Sequence, residues 1–206
     1  MAKRSAPEVN AGSMADIAFL LLIFFLVTTT IETDSGLDRK LPPLEPPDEN
    51  VIIREKNIME VVVNKNNQLL VEEKLIGLKE LRKAAVAFLD NGGGTGEDAC
   101  SYCKGKKDPT SSDNPDKAII SLQNDRETSY EMYVSVQNEL VGAYNELRNR
   151  ESQRLYGRDY TAMEAEYNDP RTTSESIKAD LKEKLDRIKE MYPQKLSEAE
   201  PKSSGQ

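Results

Sequence analysis

Asp16 is the residue in this sequence whose type and surroundings most clearly indicate chemistry. Between Val9 and Ile31 it is the only ionisable side chain, and the unbroken apolar run IAFLLLIFFLV follows it. A carboxylate at the centre of a bilayer costs roughly 2.5 to 3.5 kcal/mol, so it is rarely kept there without a partner or a function. Because desolvation disfavours the charged form, such a group can take up and release protons near neutral pH. The sequence predicts a proton carrier at Asp16, and the plain alternative is a side chain at headgroup level that reaches water.

The composition excludes several classes of function. The chain has 206 residues, a formal net charge of −8 and no histidine. A histidine general base, a histidine-ligated zinc and a Ser-His-Asp triad are therefore excluded, and acid–base work falls to carboxylates. Basic residues are interleaved with acidic ones, which argues against nucleic-acid binding. No cofactor and no metal are expected, and an enzyme ranks last because no carboxylate pair has a recognisable setting.

The apolar run becomes long enough to cross a membrane when its flanks are added. Residues 17–27 are too few for a hydrocarbon core of about 30 Å, whereas residues 11–31 provide about 21 positions. A signal peptide is the main alternative, but no small-x-small cleavage site follows Val27. A buried core helix is disfavoured because the segment has no amphipathic stripe.

The flanking charges predict the orientation of this span. Lys3 and Arg4 precede it, while Glu32 and Asp34 follow it. The positive-inside rule then places the N-terminus in the cytoplasm and the rest of the chain outside it. The predicted organisation is a cytoplasmic tail at 1–10, a transmembrane helix at 11–31, a Pro-rich linker at 32–50 and a periplasmic domain at 51–206.

Residues 9–16, VNAGSMAD, with the following IAFLLLIFFLVT, resemble the N-terminal signature of the ExbD/TolR family. In that family an Ile-Asn pair precedes the proton-carrying aspartate at a fixed spacing, and an LLIFF-type run follows. The spacing from Asn10 to Asp16 and the LLIFF run match, whereas Gly12-Ser13 replaces a common Thr-Pro pair. The resemblance implies that Asp16 is the protonatable residue of a motor. Residues expected to support this pore helix are Asn10, Ser13, Ile23 and Thr30.

The resemblance also implies partners and a location. Two copies of the span would sit inside a ring of an ExbB-like polytopic protein in the inner membrane. The proton motive force would then drive a TonB-like protein and power outer-membrane transport. A TolR- or stator-like subunit that binds peptidoglycan or envelope proteins is the alternative. Stoichiometry, cargo and rotary motion stay open.

The linker contains the run PPLEPP at 42–47, which favours an extended, semi-rigid spacer. In the resembling family a segment just after the span can exchange as a strand between two copies. Leu37 to Leu41 is the candidate for such a partner-binding strand.

The outer domain is predicted as a two-layer α/β (α+β) sandwich of order β-β-α-β-α, with a final strand near Gln194 to Ala199. β-branched residues at Ile58 to Val63, turn chemistry after them and an extended pattern from Gln68 predict a hairpin from Ile58 to Glu72. Helical spacing predicts one helix from Leu78 to Leu89 and a second through Tyr130 to Leu147. A buried strand is expected at Ala118 to Leu122.

Two inserts depart from a minimal domain and resemble the longer family members from Bacteroidota. Residues 92–116 are polar and Gly-rich, which predicts a mobile loop. The run GGGTG lacks the Lys-Ser/Thr of a phosphate loop. Residues 149–192 predict charged helices, with Thr172 and Glu175 spaced as a capping box.

Cys100 and Cys103 lie three residues apart in the first insert. A redox pair and half of a metal site are open alternatives, but no thioredoxin-like βαβ setting surrounds them and no histidine could complete a zinc site. A local disulfide in an oxidising compartment is the default interpretation.

Overall fold

The computed structural model describes residues 11–28, 54–172 and 174–199. The chain divides into two compact units, Met1–Glu49 and Asn50–Gln206. The described part of the first unit is one helix, and the second unit holds a sheet with its helices.

Helix α1 covers Ala11–Thr28. Its large apolar side chains from Met14 to Phe25 are exposed on all sides of the helix. Within the described ranges, no helix combines the length and the hydropathy that a membrane crossing requires. The predicted span of residues 11–31 is therefore not shown, and its last three residues lie outside the described part.

The second unit contains a mixed sheet of five strands in the order β3-β2-β1-β4-β5. Strand β1 pairs antiparallel with β2, and β2 with β3, whereas β1–β4 and β4–β5 are parallel. The strands are β1 Ile58–Val63, β2 Leu69–Val71, β3 Lys74–Ile76, β4 Ile119–Asn124 and β5 Leu196–Ala199.

One face of this sheet is covered by helices, which confirms the predicted α/β class of the domain. Alternate residues of β1 and β4, such as Val61 and Leu122, are fully buried. They form one core with α2 (Leu78–Leu89) and α3 (Tyr130–Tyr156). Burying such a side chain contributes about 1.5–3 kcal/mol. The opposite positions of β1 and β4 are partly or fully exposed, as expected for two layers.

The sequence missed β3, which extends the predicted hairpin into a three-stranded meander. Strand β3 has only three residues, and Leu75 at its centre is exposed, so its sequence has too little periodicity to predict a strand.

The second insert does not begin as a separate element at residue 149. Helix α3 runs unbroken past residue 149. At its start the Ser129 side chain accepts the Met132 N–H, and at its end Gly157 caps the helix with a φ of 66°. Two more helices follow, α4 (Tyr160–Asn168) and α5 (Glu175–Met191). The chain then returns to the sheet as β5.

The predicted capping box at the start of α5 is wrong. The N-cap residue is Ser174, without a capping hydrogen bond from its side chain. Thr172 instead donates its hydroxyl to the Glu166 carbonyl at the end of α4. The short connection between the two helices moves the helix start two residues beyond the position that spacing alone indicates.

Candidate functional site

Asp16 lies on α1 with an exposed side chain. Within the described residues its carboxylate makes no hydrogen bond and no ion pair. Ile23 lies seven residues later on the same face and is 42% exposed. The helix therefore presents one carboxylate on an apolar cylinder.

The structure describes only some of the other residues predicted from the family signature. Ser13 belongs to α1. Asn10 and Thr30 lie outside the described residues, as do the candidate strand residues Leu37 and Leu41. Their predicted roles stay predictions.

In the outer domain, Cys100 and Cys103 form a disulfide. The Cys103 N–H points to the Cys100 sulfur at 3.1 Å, which closes a tight local turn. Beside it, Tyr102 donates its hydroxyl to the Met191 carbonyl at 2.8 Å. The disulfide turn is thus attached to the end of α5.

The first insert is fixed by buried polar groups, contrary to the predicted mobile loop. The Asn91 amide is 3% exposed and donates to the carbonyls of Asp108 and Ser112, at 2.8 Å each. Gly93 and Gly94 donate their N–H groups to the carbonyls of Ser112 and Asp113. Gly93 and Gly94 therefore allow a close approach of two backbone segments, which a Cβ at either position would prevent.

Asp113 attaches this insert to the start of the domain. Its side chain is almost fully buried and pairs with Lys56 at 2.6 Å, while Asn57 donates to it at 3.0 Å. Arg54 lies 3.5 Å away on the exposed side. These partners immediately follow the linker and lead into β1, so the insert holds the point where the chain enters the sheet.

A second polar cluster, in which Asp90, Glu151 and Tyr192 are buried, joins α2, α3 and the end of α5. Arg150 donates to both carboxylate oxygens of Asp90, at 2.6 and 2.8 Å. The Tyr192 hydroxyl also donates to Asp90, at 2.8 Å. Buried Glu151 pairs with Arg150 at 3.2 Å and with Arg154 at 2.6 Å. We call these residues, Asp90, Arg150, Glu151, Arg154 and Tyr192, the Asp90 cluster.

The environments of Asp90 and Asp113 keep both carboxylates ionised. Burial by itself would raise the pKa of Asp90, but the hydrogen bonds from Arg150 and Tyr192 outweigh it and lower the pKa below its usual value. Burial likewise opposes ionisation of Asp113, yet Lys56 and Asn57 lower its pKa. Both carboxylates therefore act as fixed anions that order the structure rather than as general bases.

The tyrosines on α3 differ in burial. Tyr144 packs between the helix and the sheet and is 1% exposed, and burial raises its pKa. Tyr130 is 80% exposed and does not pack against the sheet. Tyr133 is half-buried and donates its hydroxyl to Glu198 on β5 at 2.8 Å.

Neither polar cluster could be assigned from sequence, because each depends on contacts between segments that are 42 to 102 residues apart. The only local signal was the Asp90-Asn91-Gly92 helix end, which indicates a turn. In the described part of the chain, no group of His, Cys, Asp and Glu is arranged to hold a metal ion.

Comparison with known proteins identifies the relationship. Residues 2–149 match the family described as biopolymer transport protein ExbD/TolR, which covers α1, the sheet through β4 and most of α3. No curated protein matches the chain. The match spans more than two thirds of the sequence and includes the segment around Asp16. The chain therefore belongs to the ExbD/TolR family.

Proposed function

We propose that this protein is the proton-driven subunit of an ExbB-ExbD-TonB type motor in the inner membrane. Membership of the family supports a role in biopolymer transport coupled to the proton motive force. The observation that carries the finer assignment is Asp16, a lone carboxylate on the apolar helix α1.

In this proposal residues 11–31 are inserted in the membrane, with the N-terminus in the cytoplasm and the outer domain in the periplasm. Family members are inner-membrane proteins with a periplasmic domain, which supports this placement. Two copies of the helix would lie within an ExbB-like ring, where Asp16 binds and releases protons. One proton moved across 100 mV supplies about 2.3 kcal/mol.

The motion would reach the envelope through the linker. The Pro-rich segment at 42–47 is suited to act as a spacer. The contacts of Asp113 with Lys56 and Asn57 fasten the first residues after the linker to the domain. A pull on the linker would therefore act on the whole sheet rather than fray β1. The outer domain, with the Leu37 to Leu41 strand, would then engage a TonB-like protein.

Asp16→Asn tests the proton-carrier role, because the amide preserves size and cannot titrate. We expect energy-dependent uptake to be abolished while co-purification with the polytopic partner is unchanged. Asp16→Glu should retain part of the activity. Glu60→Gln, which neutralises an exposed acid on β1, is the matched control and should behave as the unmodified protein.

Full uptake by the Asp16→Asn variant, with normal assembly, would contradict this role. It would favour the TolR- or stator-like alternative, in which the outer domain tethers the complex to peptidoglycan or envelope proteins. Such a subunit should tolerate Asp16→Asn and fail when residues 51–206 are removed.

A further inference from the structure

A groove of about 390 Å³ lies where the disulfide turn meets α3 and α5. Its volume falls in the range of small-ligand pockets, about 300–1,000 Å³. The residues that matter for recognition are Tyr102, Lys104, Arg154, Leu155, Arg187 and Met191. The four on α3 and α5 lie beyond the family match, which ends at residue 149.

Three cations from three separate segments line this groove, and no acidic residue does. Lys104, Arg154 and Arg187 are all exposed. The chain as a whole has a net charge of −8, so this group of positive side chains differs in sign from the net charge of the protein. Cations that share one concave surface repel each other, and an anion bound between them relieves that repulsion.

The cations retain binding capacity. Arg154 uses its Nε to bind buried Glu151, and no ion pair within the described residues engages Lys104 or Arg187. Glu183 and Glu190 lie about one turn from Arg187 on α5, but they do not line the groove. Arginine guanidinium groups bind carboxylates through two parallel hydrogen bonds.

The chemistry of the groove favours a carboxylate over a phosphate. Phosphate sites commonly offer free backbone N–H groups. Here two of the four turn residues that line the groove have their N–H groups engaged: that of Cys103 points to the Cys100 sulfur, and that of Lys104 donates to Asp90. The remaining surface is partly apolar, from Leu155 and Met191.

We propose that this groove binds a short acidic peptide segment of a partner protein, with its carboxylates on Lys104, Arg154 and Arg187 and an apolar side chain against Leu155 and Met191. Binding at this surface is independent of proton movement at Asp16. It goes beyond the proposed motor function, because the groove is built from the first insert and the C-terminal helices.

The test uses the full chain, purified in detergent, and a fluorescein-labelled peptide of sequence Glu-Leu-Asp-Leu-Glu. Fluorescence anisotropy should show saturable binding that weakens as salt is raised. Arg187→Gln and Lys104→Gln should each weaken binding roughly fivefold, the effect of about 1 kcal/mol. Lys182→Gln removes the same charge from α5 away from the groove and should leave binding unchanged.

Three results would overturn the proposal. The neutral peptide Gln-Leu-Asn-Leu-Gln could bind equally well, which would remove the role of the carboxylates. Lys182→Gln could weaken binding as much as Arg187→Gln, which would indicate a diffuse charge effect. Inorganic phosphate could displace the peptide at equal concentration, which would assign the groove to small anions.

Discussion

The first insert, 92–116, and the C-terminal helical extension, 150–192, are both ordered, but different forces hold them. The insert is fixed by buried polar groups such as Asn91 and Asp113 and by close approach of glycine backbones. The extension has its own apolar cluster, built from Tyr160, Met163, Leu181, Leu185 and Ile188.

This difference shows two ways to add chain to a small domain. A helical addition needs an apolar stripe and tolerates polar variation on its outer face. A loop addition needs each buried donor and acceptor to find a partner, since an unpaired one costs about 1–3 kcal/mol. The two additions meet at Asp90, at the end of α2, which accepts the Lys104 N–H from the insert and hydrogen bonds from Arg150 and Tyr192 of the extension.

Leu185→Ala should have the largest effect, because it removes a side chain that is 3% exposed from the extension's cluster. We expect a loss of about 2–5 kcal/mol in the free energy of unfolding, measured by urea denaturation. Ile177→Ala, at a position on α5 that is 46% exposed, is the control and should change it by less than about 0.5 kcal/mol. Equal losses of stability in the two variants would contradict the packing of α5 through the face that contains Leu185.

Asn91→Ala tests the polar insert. It removes two donated hydrogen bonds, to Asp108 and Ser112, and one accepted from the Asp108 N–H. A loss of about 2–3 kcal/mol is expected because buried carbonyls lose their partners. Asn66→Ala, in the exposed hairpin turn, should be nearly neutral. Unchanged proteolysis of the 92–116 loop in Asn91→Ala would contradict the proposed fixing role.

Asp90→Asn addresses the junction of the two additions and carries a pH signature. Because the folded-state pKa of Asp90 is lowered, its contribution is fully present above the unfolded value near 3.8 and is lost as the pH falls through the folded value. The variant should lose about 2 kcal/mol at pH 7, the worth of hydrogen bonds to a charged group. Urea denaturation at several pH values should show this deficit shrinking below about pH 4. A deficit independent of pH would assign the loss to packing instead.

Cys100→Ser with Cys103→Ser should have the smallest effect on global stability. A cross-link over three residues removes little loop entropy, so the expected loss is at most about 2 kcal/mol. Thermal unfolding with and without a reductant measures it in the unmodified protein. Loss of the whole cooperative transition on reduction would show that the disulfide supports more than its own turn.

Elements with a strong local pattern were predictable from sequence. The β-branched residues of β1 and the helical spacing of α2 gave elements of the right type and nearly the right bounds. Strand β3 was missed because a strand of three residues has no periodic signal. The start of α5 was misplaced because a short interhelical turn has no periodic signal either. The ordered conformation of the first insert was not predicted. Its glycine content indicates conformational freedom in the unfolded chain and does not reveal the contacts that restrict the insert in the folded chain.

Asp16 and its apolar surroundings are a local property of the chain, so the sequence alone identified the candidate proton carrier and the family signature around it. The Asp90 cluster, the attachment of Asp113 to the start of β1 and the cationic groove exist only in the folded chain. Each joins side chains that lie dozens of residues apart, and charges at such separations interact only when the fold brings them within a few ångströms.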